Sequence, residues 1–428
     1  MLFAEGLTVE ASNMREGLAW KRDGFPGLEM DRMISRFSGR LGIQQRVLPI
    51  YRLPFFDALA AACTGGLSVF AGEPRPDEAI AVTDQLRFTH YVLATNIHIL
   101  RGPLYLCWQG GLIQWLDDWL PDALIVEANP RYLSTPAAVR WMKARGRPVL
   151  GWGLGAPPLA GPLASLRRSA RLRFLSRFDA LITYSQRGAQ EYAATGFPAE
   201  RIFVAPNAST PRPTSPPLPR SPAFSEKPTI LFVGRLQARK RLDLLLQACA
   251  ALSRCPELAV SHRRAADARG TNGVEGEVEG PEKMQPRLVI VGEGPERENL
   301  EILAKKVYPG AEFVGPKYKD ELAPYFTAAD LFILPGTGGL AVQEAMSYGL
   351  PVIMGQGDGT NDDLVRPENG WQIPPDDLPA LTETLRLALS DAARLRRMGA
   401  ESYRIVAEEI NIERMVGVFV EALNSMRP

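Results

Sequence analysis

Histidine and cysteine are scarce in this chain, with 3 and 4 copies among 428 residues. Cys63, Cys107, Cys249 and Cys255 form no Cys-x-x-Cys pair, and His90, His98 and His262 lie far apart. No zinc centre of Cys and His and no disulfide scaffold is expected, and so few thiols suit a reducing compartment. Net charge is scarce as well: Lys and Arg number 49 against 48 Asp and Glu, leaving +1 at pH 7. Bulk charge therefore holds the chain to neither nucleic acid nor membrane. A membrane-spanning run is also missing. The longest uncharged stretch, 148–166, is broken by Pro148, Pro157, Pro158 and Pro162 among Gly151, Gly153, Gly155 and Gly161, which a lipid-facing helix does not tolerate. Glu5, Glu10, Arg15 and Glu16 stand where a signal peptide needs an apolar core. The expectation is a soluble, cytoplasmic protein.

An apolar fraction of 46% with 23% charged residues belongs to a folded chain, and the length fits roughly two or three domains. Residues 1–42 show no sustained period and read as a weakly structured extension. From Val47 onward, short β-branched and aromatic runs alternate with helical patterns, as in βαβ units around a parallel sheet. Strands are predicted at 47–51, 67–71, 123–126, 149–152, 180–183 and 202–205, with helices at 54–62, 136–145 and 163–177. The stretch 88–119 is apolar throughout and resists division. This first domain covers 43–205. Eight prolines between Pro206 and Pro228 then forbid helix or central strand and mark a semi-rigid linker at 206–228. A second alternating set fills 229–411, with strands at 230–233, 288–291, 312–314, 331–334 and 351–354. Between its first helix and second strand, 261–286 is rich in Gly and Glu and reads as a disordered insertion. Two doubly wound α/β domains in succession predict a central cleft, with ligands beyond the carboxyl ends of the strands.

Three motifs in the second half carry chemistry. In the first, a strand ends at Val233, Gly234 turns, and Arg235 and Lys240 stand five positions apart just before a helix. A planar fork and a mobile point charge suit a diphosphate, although a solvated basic loop has the same appearance. The second, Gly292-Glu293-Gly294-Pro295 after a strand, permits close backbone approach, yet lacks the full dinucleotide fingerprint and also fits a tight turn. The third, Gly336-Thr337-Gly338-Gly339-Leu340, opens a helix and offers backbone N–H groups to an anion. Glu344, one turn into that helix, either accepts hydrogen bonds from vicinal hydroxyls or is an ordinary helix-start charge.

In the first half, Glu127 ends the apolar run 123–126 and should sit at a strand's carboxyl end, with Asn129 and Arg131 behind it. It either orients or deprotonates an acceptor or is a solvated strand-end charge. His98, alone in an apolar stretch, reads as a packed residue. Arg167, Arg168, Arg171, Arg173 and Arg177 share a helix with no acid among them. They either contact an anionic membrane peripherally, at its inner face, or form a solvated face. Asp117-Asp118 and Asp362-Asp363 have no metal-like spacing, and no metal is expected.

The order and spacing of the three second-half motifs, with Val314-Gly315, Ala328-Ala329-Asp330-Leu331 and Asn369-Gly370, resemble the retaining family 4 (group 1) glycosyltransferases of GT-B fold. The first half resembles them more loosely, through Tyr51-Arg52-Leu53-Pro54-Phe55-Phe56, Ile182-Thr183-Tyr184-Ser185 and Ile202-Phe203-Val204-Ala205-Pro206-Asn207. The resemblance implies a final helix, 412–426, packing back on the first domain. It also implies transfer of a sugar from a nucleotide-sugar donor, a UDP- or GDP-sugar, to a saccharide or lipid-linked acceptor, with retention. No permanent cofactor is implied and nucleic acid is not a partner. Arg235 and Lys240 would bind the diphosphate and Glu344 the ribose. Gly338, Gly339 and Leu340 would face phosphates and sugar, and Gly315 to Lys317 would flank the base. Gly234, Gly292 and Gly294 complete the donor side; Arg52, Asn129, Arg131, Trp152, Gly153 and Gly155 form the acceptor side. Two family features are missing. The first of the family's paired glutamates falls on Gly336, and the stretch matching its histidine is Trp152-Gly153-Leu154-Gly155. These losses keep a non-catalytic nucleotide-sugar-binding or scaffold protein as the alternative reading.

Overall fold

The computed structural model describes residues 35–426 apart from 79, 84, 162–163, 225–226, 254–284 and 358. The extension over residues 1–34 and nearly all of the insertion at 261–286 lie outside the described residues.

The first half forms an eight-stranded sheet in the order β4-β3-β2-β1-β5-β6-β7-β8. Its strands are β1 (Leu41–Gln45), β2 (Leu67–Gly72), β3 (Thr89–Ile99), β4 (Leu106–Gly110), β5 (Ala123–Glu127), β6 (Val149–Gly153), β7 (Ala180–Thr183) and β8 (Ile202–Val204). All pairs are parallel except β3 with β4, a hairpin whose pairing runs from Thr95–Gly110 to Ile99–Leu106. Helices α1 (Leu53–Ala62), α2 (Leu112–Trp119), α3 (Thr135–Lys143), α4 (Ala164–Leu175) and α5 (Gln186–Ala194) connect the strands. The central strands read as unbroken apolar runs because both faces are covered: Leu124, Ile125, Val126, Leu150, Leu181 and Ile182 are fully buried.

Two expectations fail here. The strand predicted at 47–51 is a loop followed by a 3-10 turn, Ile50–Arg52. The central strand is instead β1, which begins inside the stretch read as a weakly structured extension, and Phe37 already pairs with Cys63. Pro49, which cannot donate to a ladder, makes only an isolated bridge with Val82, while β1 pairs on both sides, with β2 and β5.

The second half is a six-stranded parallel sheet in the order β11-β10-β9-β12-β13-β14. It comprises β9 (Thr229–Val233), β10 (Arg287–Val291), β11 (Ala311–Gly315), β12 (Leu331–Leu334), β13 (Val352–Gly355) and β14 (Gly370–Ile373). Around it pack α6 (Leu242–Leu252), α7 (Arg297–Val307), α8 (Ala323–Ala328), α9 (Ala341–Ser347), α10 (Thr360–Leu364), α11 (Leu378–Leu389) and α12 (Ala392–Arg404). The last helix, α13 (Ile412–Ser425), starts on Asn411, whose side chain accepts the Arg414 N–H. It buries Met415, Phe419 and Leu423 in the first domain's core beside Phe55 and Ile43. The proline-rich linker is tied down by Arg220, whose guanidinium meets the carbonyls of Phe326, Thr327 and Tyr348 at 2.8, 2.9 and 3.1 Å.

The topology fixes where ligands go. In each sheet the strand order reverses beside the first strand, at β1/β5 and at β9/β12, and the crevice beyond those carboxyl ends is the ligand position of open parallel sheets. The two crevices face each other. Asp363 Oδ2 accepts the Gln186 N–H at 2.8 Å, Arg187 stands 3.8 Å from Asp362, and Gln343 Oε1 accepts the Ser209 N–H at 2.8 Å. The adjacent acids Asp362 and Asp363, given no role by spacing, thus join the two domains.

Candidate functional site

The second-domain crevice is a cavity of about 760 Å³ lined by Arg235, Arg239, Lys240, Gly338, Gly339 and Leu340. β9 delivers Gly234 at φ 156, and the chain turns there to leave Arg235 exposed. Among the described residues Arg235 has no hydrogen-bonding partner. Lys240 behaves differently from the mobile charge expected. It is only 5% exposed, and its ammonium donates to the carbonyls of Thr337, at 2.9 Å, and Gly338. Burial, with the Arg239 charge beside it, lowers its pKa from 10.5 to about 8. Because the loop carbonyls face Lys240, the N–H groups of Gly338, Gly339 and Leu340 make no hydrogen bond among the described residues. They line the cavity together with the cations, an arrangement suited to an anion.

Other donor-side residues sit elsewhere. A Cβ on Gly292 would lie 1.9 Å from the Gly234 carbonyl oxygen, and one on Gly294 2.2 Å from that of Leu236. The close approach these glycines permit is therefore between two loops of the protein. Gly315 accepts the Gly292 N–H at 2.9 Å, and Lys317 stands 3.7 Å from Glu321. Glu344 lies half-buried on α9, and burial raises its pKa. None of these five lines the cavity, whereas Gln343, Asn361, Asn207, Tyr51 and Tyr184 do. The last three come from the first domain or its exit; they lie in the segments of looser family resemblance, but no site role was expected of them.

The first-domain crevice is a cavity of about 910 Å³ lined by Arg52, Glu127, Asn129, Arg131, Trp152, Gly153 and Gly155. The residues expected on the acceptor side thus share one cavity. Glu127 is not a solvated charge. Its Oε1 accepts the Arg46 N–H at 2.7 Å, its carboxylate bonds Tyr132, and burial outweighs both to raise its pKa. Arg52 is the more unusual group. It is 7% exposed, its guanidinium lies 5.2, 5.6 and 5.3 Å from the rings of Tyr51, Trp152 and Tyr184, and it donates to Asn207 Oδ1 at 2.6 Å. No carboxylate reaches it among the described residues. Trp152 Nε1 is buried without a hydrogen-bond acceptor. Tyr51 and Tyr184 line both cavities, so the two crevices meet at this aromatic pair. His98 lies on the hairpin, bonded to Tyr105 at 2.9 Å, away from both cavities. Among the described residues no His, Cys, Asp and Glu cluster of metal-binding kind exists, and no helix is long and apolar enough to cross a membrane.

Two Rossmann-like domains meeting across a cleft, with cations and free N–H groups at one switch point, define the GT-B architecture. Residues 218–405 match the model of the family glycosyl transferases group 1, and residues 51–208 match that of a glycosyl transferase 4-like domain. Each half of the chain thus resembles a glycosyltransferase domain. It is 29% identical to sulfoquinovosyl transferase SQD2 of Arabidopsis thaliana over 174 residues, 39% of this chain and 27% of that protein. It is 32% identical to a GDP-mannose-dependent alpha-mannosyltransferase of Mycobacterium tuberculosis over 196 residues, 43% of this chain and 42% of that one. The chain spans less than half the length of either relative. The structure of Anabaena Alr3699/HepE in complex with UDP shares the fold at a TM-score of 0.58 and 14% identity, over 90% of this chain and 99% of that one.

Proposed function

We propose that the protein transfers a sugar from a nucleotide-sugar donor to a hydroxyl of a saccharide or lipid-linked acceptor, with retention of anomeric configuration, in glycan or glycolipid synthesis. The observation that carries this reading is the meeting of the two cavities at Tyr51 and Tyr184, one lined by cations and loop N–H groups, the other by polar groups of the opposite domain. A UDP- or GDP-sugar fits the first. Its diphosphate lies against Arg235, Lys240 and the N–H groups of 338–340. The bond from the anomeric carbon to the diphosphate breaks, the bond to the acceptor oxygen forms on the same face, and the leaving phosphate oxygen takes the acceptor proton. That route asks no carboxylate of position 336. It asks for electrostatic stabilisation of the diphosphate, which Arg235 and Lys240 supply. With these cations in place transfer is expected to be independent of added metal and insensitive to EDTA.

The first experiment is a thermal-shift panel of UDP, GDP, ADP and dTDP on the wild type and Arg235→Ala. A ligand at a hundred times its Kd adds about 2.7 kcal/mol to the native state. One nucleotide should stabilise the wild type and fail on Arg235→Ala, and its sugar conjugates should then give a product whose anomeric proton coupling matches the donor's. Stabilisation by none of them would overturn the reading, and nucleotide binding without turnover would leave a non-catalytic binding protein.

A further inference from the structure

The acceptor cavity does not end at Gly155. Ala156, Arg171, Arg187 and Glu191 line it and also line a neighbouring cavity of about 770 Å³ between α4, α5 and the loop through Pro158. Three arginines, Arg168, Arg171 and Arg187, face this second space, and Glu191 is the acid among its described lining residues. Two of the three are held without being neutralised. Arg168 donates one Nη2 hydrogen to the Ala194 carbonyl at 2.7 Å, and Arg171 one Nη1 hydrogen to the Pro157 carbonyl at 2.6 Å. Neither has a carboxylate within ion-pair distance among the described residues. Arg187 keeps longer contacts, 3.4 Å to Glu191 and 3.8 Å to Asp362.

Neutral carbonyls orient a guanidinium while leaving its charge and most of its five N–H donors available. The cost is visible at Arg171, whose pKa is lowered by burial and by the neighbouring Arg167 charge, which Glu191 and Tyr192 offset only in part. α4 contributes no acid anywhere along Ala164–Leu175, so nothing on the helix offsets these cations. Planar forks fixed in a cavity are suited to bidentate recognition of phosphate or carboxylate.

We propose that this second cavity binds an acidic group of the acceptor, a phosphate or a carboxylate, so that the sugar is delivered to an anionic saccharide whose hydroxyl reaches the Tyr51–Tyr184 junction while its charge rests on Arg168 and Arg171. The inference rests on the reading of the neighbouring cavity as the acceptor's.

The test measures binding of glucose 6-phosphate, glucuronic acid and glucose to the full chain, with and without saturating UDP or GDP. The wild type should bind the two acidic sugars and not glucose, and added salt should weaken the binding. Arg168→Gln and Arg171→Gln should each lose at least tenfold in affinity for the acidic sugars, while Arg168→Lys and Arg171→Lys lose less. Nucleotide affinity and Tm should stay at wild-type values in all four, separating a ligand role from a structural clip between α4 and its carbonyl partners. Equal binding of glucose and its acidic counterparts, or unchanged affinity in the Gln variants, would overturn the proposal. Capture by phosphatidylglycerol vesicles without acidic-sugar binding would overturn it too, and would assign the arginines to a lipid surface. Failure of UDP and GDP to bind would instead count against the donor site, leaving the acidic-sugar result to be read on its own.

Discussion

Binding of a nucleoside diphosphate should draw a proton from solvent, through Lys240. Its ammonium is buried beside Arg239, which lowers its pKa to about 8. At pH 8 about half of the empty protein then carries a neutral Lys240, and at pH 9 about nine tenths. A diphosphate against Nζ favours the charged form and returns the group toward its ordinary value. Uptake on binding is therefore about 0.1 proton at pH 7, about 0.5 at pH 8 and about 0.9 at pH 9. Since the charged form binds, affinity should weaken about fivefold between pH 8 and pH 9. Phosphate groups titrate near pH 6 and add nothing over this interval. Stability of the empty protein follows the same linkage. Between about pH 8 and 10.5 the unfolded chain holds the lysine proton and the folded chain has lost it, so stability rises with pH there. Below pH 8 both states are protonated, and Lys240 costs a constant amount on the order of 3 kcal/mol. Calorimetric titration at pH 7, 8 and 9, in buffers of different ionisation enthalpy, reads the uptake directly. No uptake at pH 9, or the same uptake by Lys240→Met, would refute the reasoning.

Arg235→Ala should lower kcat/KM about tenfold to a hundredfold and leave Tm unchanged, because the side chain is exposed and has no protein partner to lose; near-wild-type turnover would remove it from the donor site. If the half-buried Glu127 orients the acceptor hydroxyl toward the leaving phosphate oxygen, Glu127→Gln should cut kcat about tenfold to a hundredfold with acceptor KM little moved. Glu127 must be ionised to act, so the wild-type rate should rise with pH through a value above the ordinary carboxylate range, and the variant should lack that limb. Equal rates in both would make it a positioning contact to Arg46. Gly336→Ala places a Cβ 2.0 Å from the Arg239 carbonyl oxygen and should cost about 1–3 kcal/mol in denaturant unfolding along with nucleotide affinity; a variant with wild-type stability would show that the loop moves freely.

Most strands were legible because strands buried on both faces are written as short uninterrupted apolar runs, as at 123–126, 149–152 and 331–334. β1 was not legible, for a physical reason. Its residues Leu41-Gly42-Ile43-Gln44-Gln45 look half polar, yet Gln44 is 1% exposed and donates to Gln109 Oε1 on β4 at 2.8 Å. A buried amide satisfied by a residue 65 positions away leaves no local trace. The hairpin within 88–119 resisted division because Leu93, Ile97 and Trp108 are apolar and exposed, so no alternation marks a solvent face. At the site, Arg235, Lys240 and Gly338 to Leu340 converge because they follow two strands flanking one switch point, which motif order already encoded. Tyr51, Tyr184 and Asn207 reach the same cavity across the domain junction, and local sequence does not encode a distance of that kind.

The glycine at position 336 shows how a departure from the family pattern is paid for in geometry. There the loop runs against the backbone of Arg239 and Lys240, so close that no side chain of any kind fits. The contact places the carbonyls of Thr337 and Gly338 on the Lys240 ammonium and the Arg239 carbonyl on the Thr337 N–H, at 3.0 Å. Loop and cation become one unit, with the carbonyls turned inward and the N–H groups of 338–340 left for the cavity. A carboxylate at this position would need the loop to withdraw from Arg239, and withdrawal would free the Lys240 ammonium from the carbonyls of Thr337 and Gly338. On the function proposed above, what the glycine gives up at the sugar end of the donor is offset by a preorganised site at the phosphate end, where a leaving group that accepts the proton itself has most need of charge.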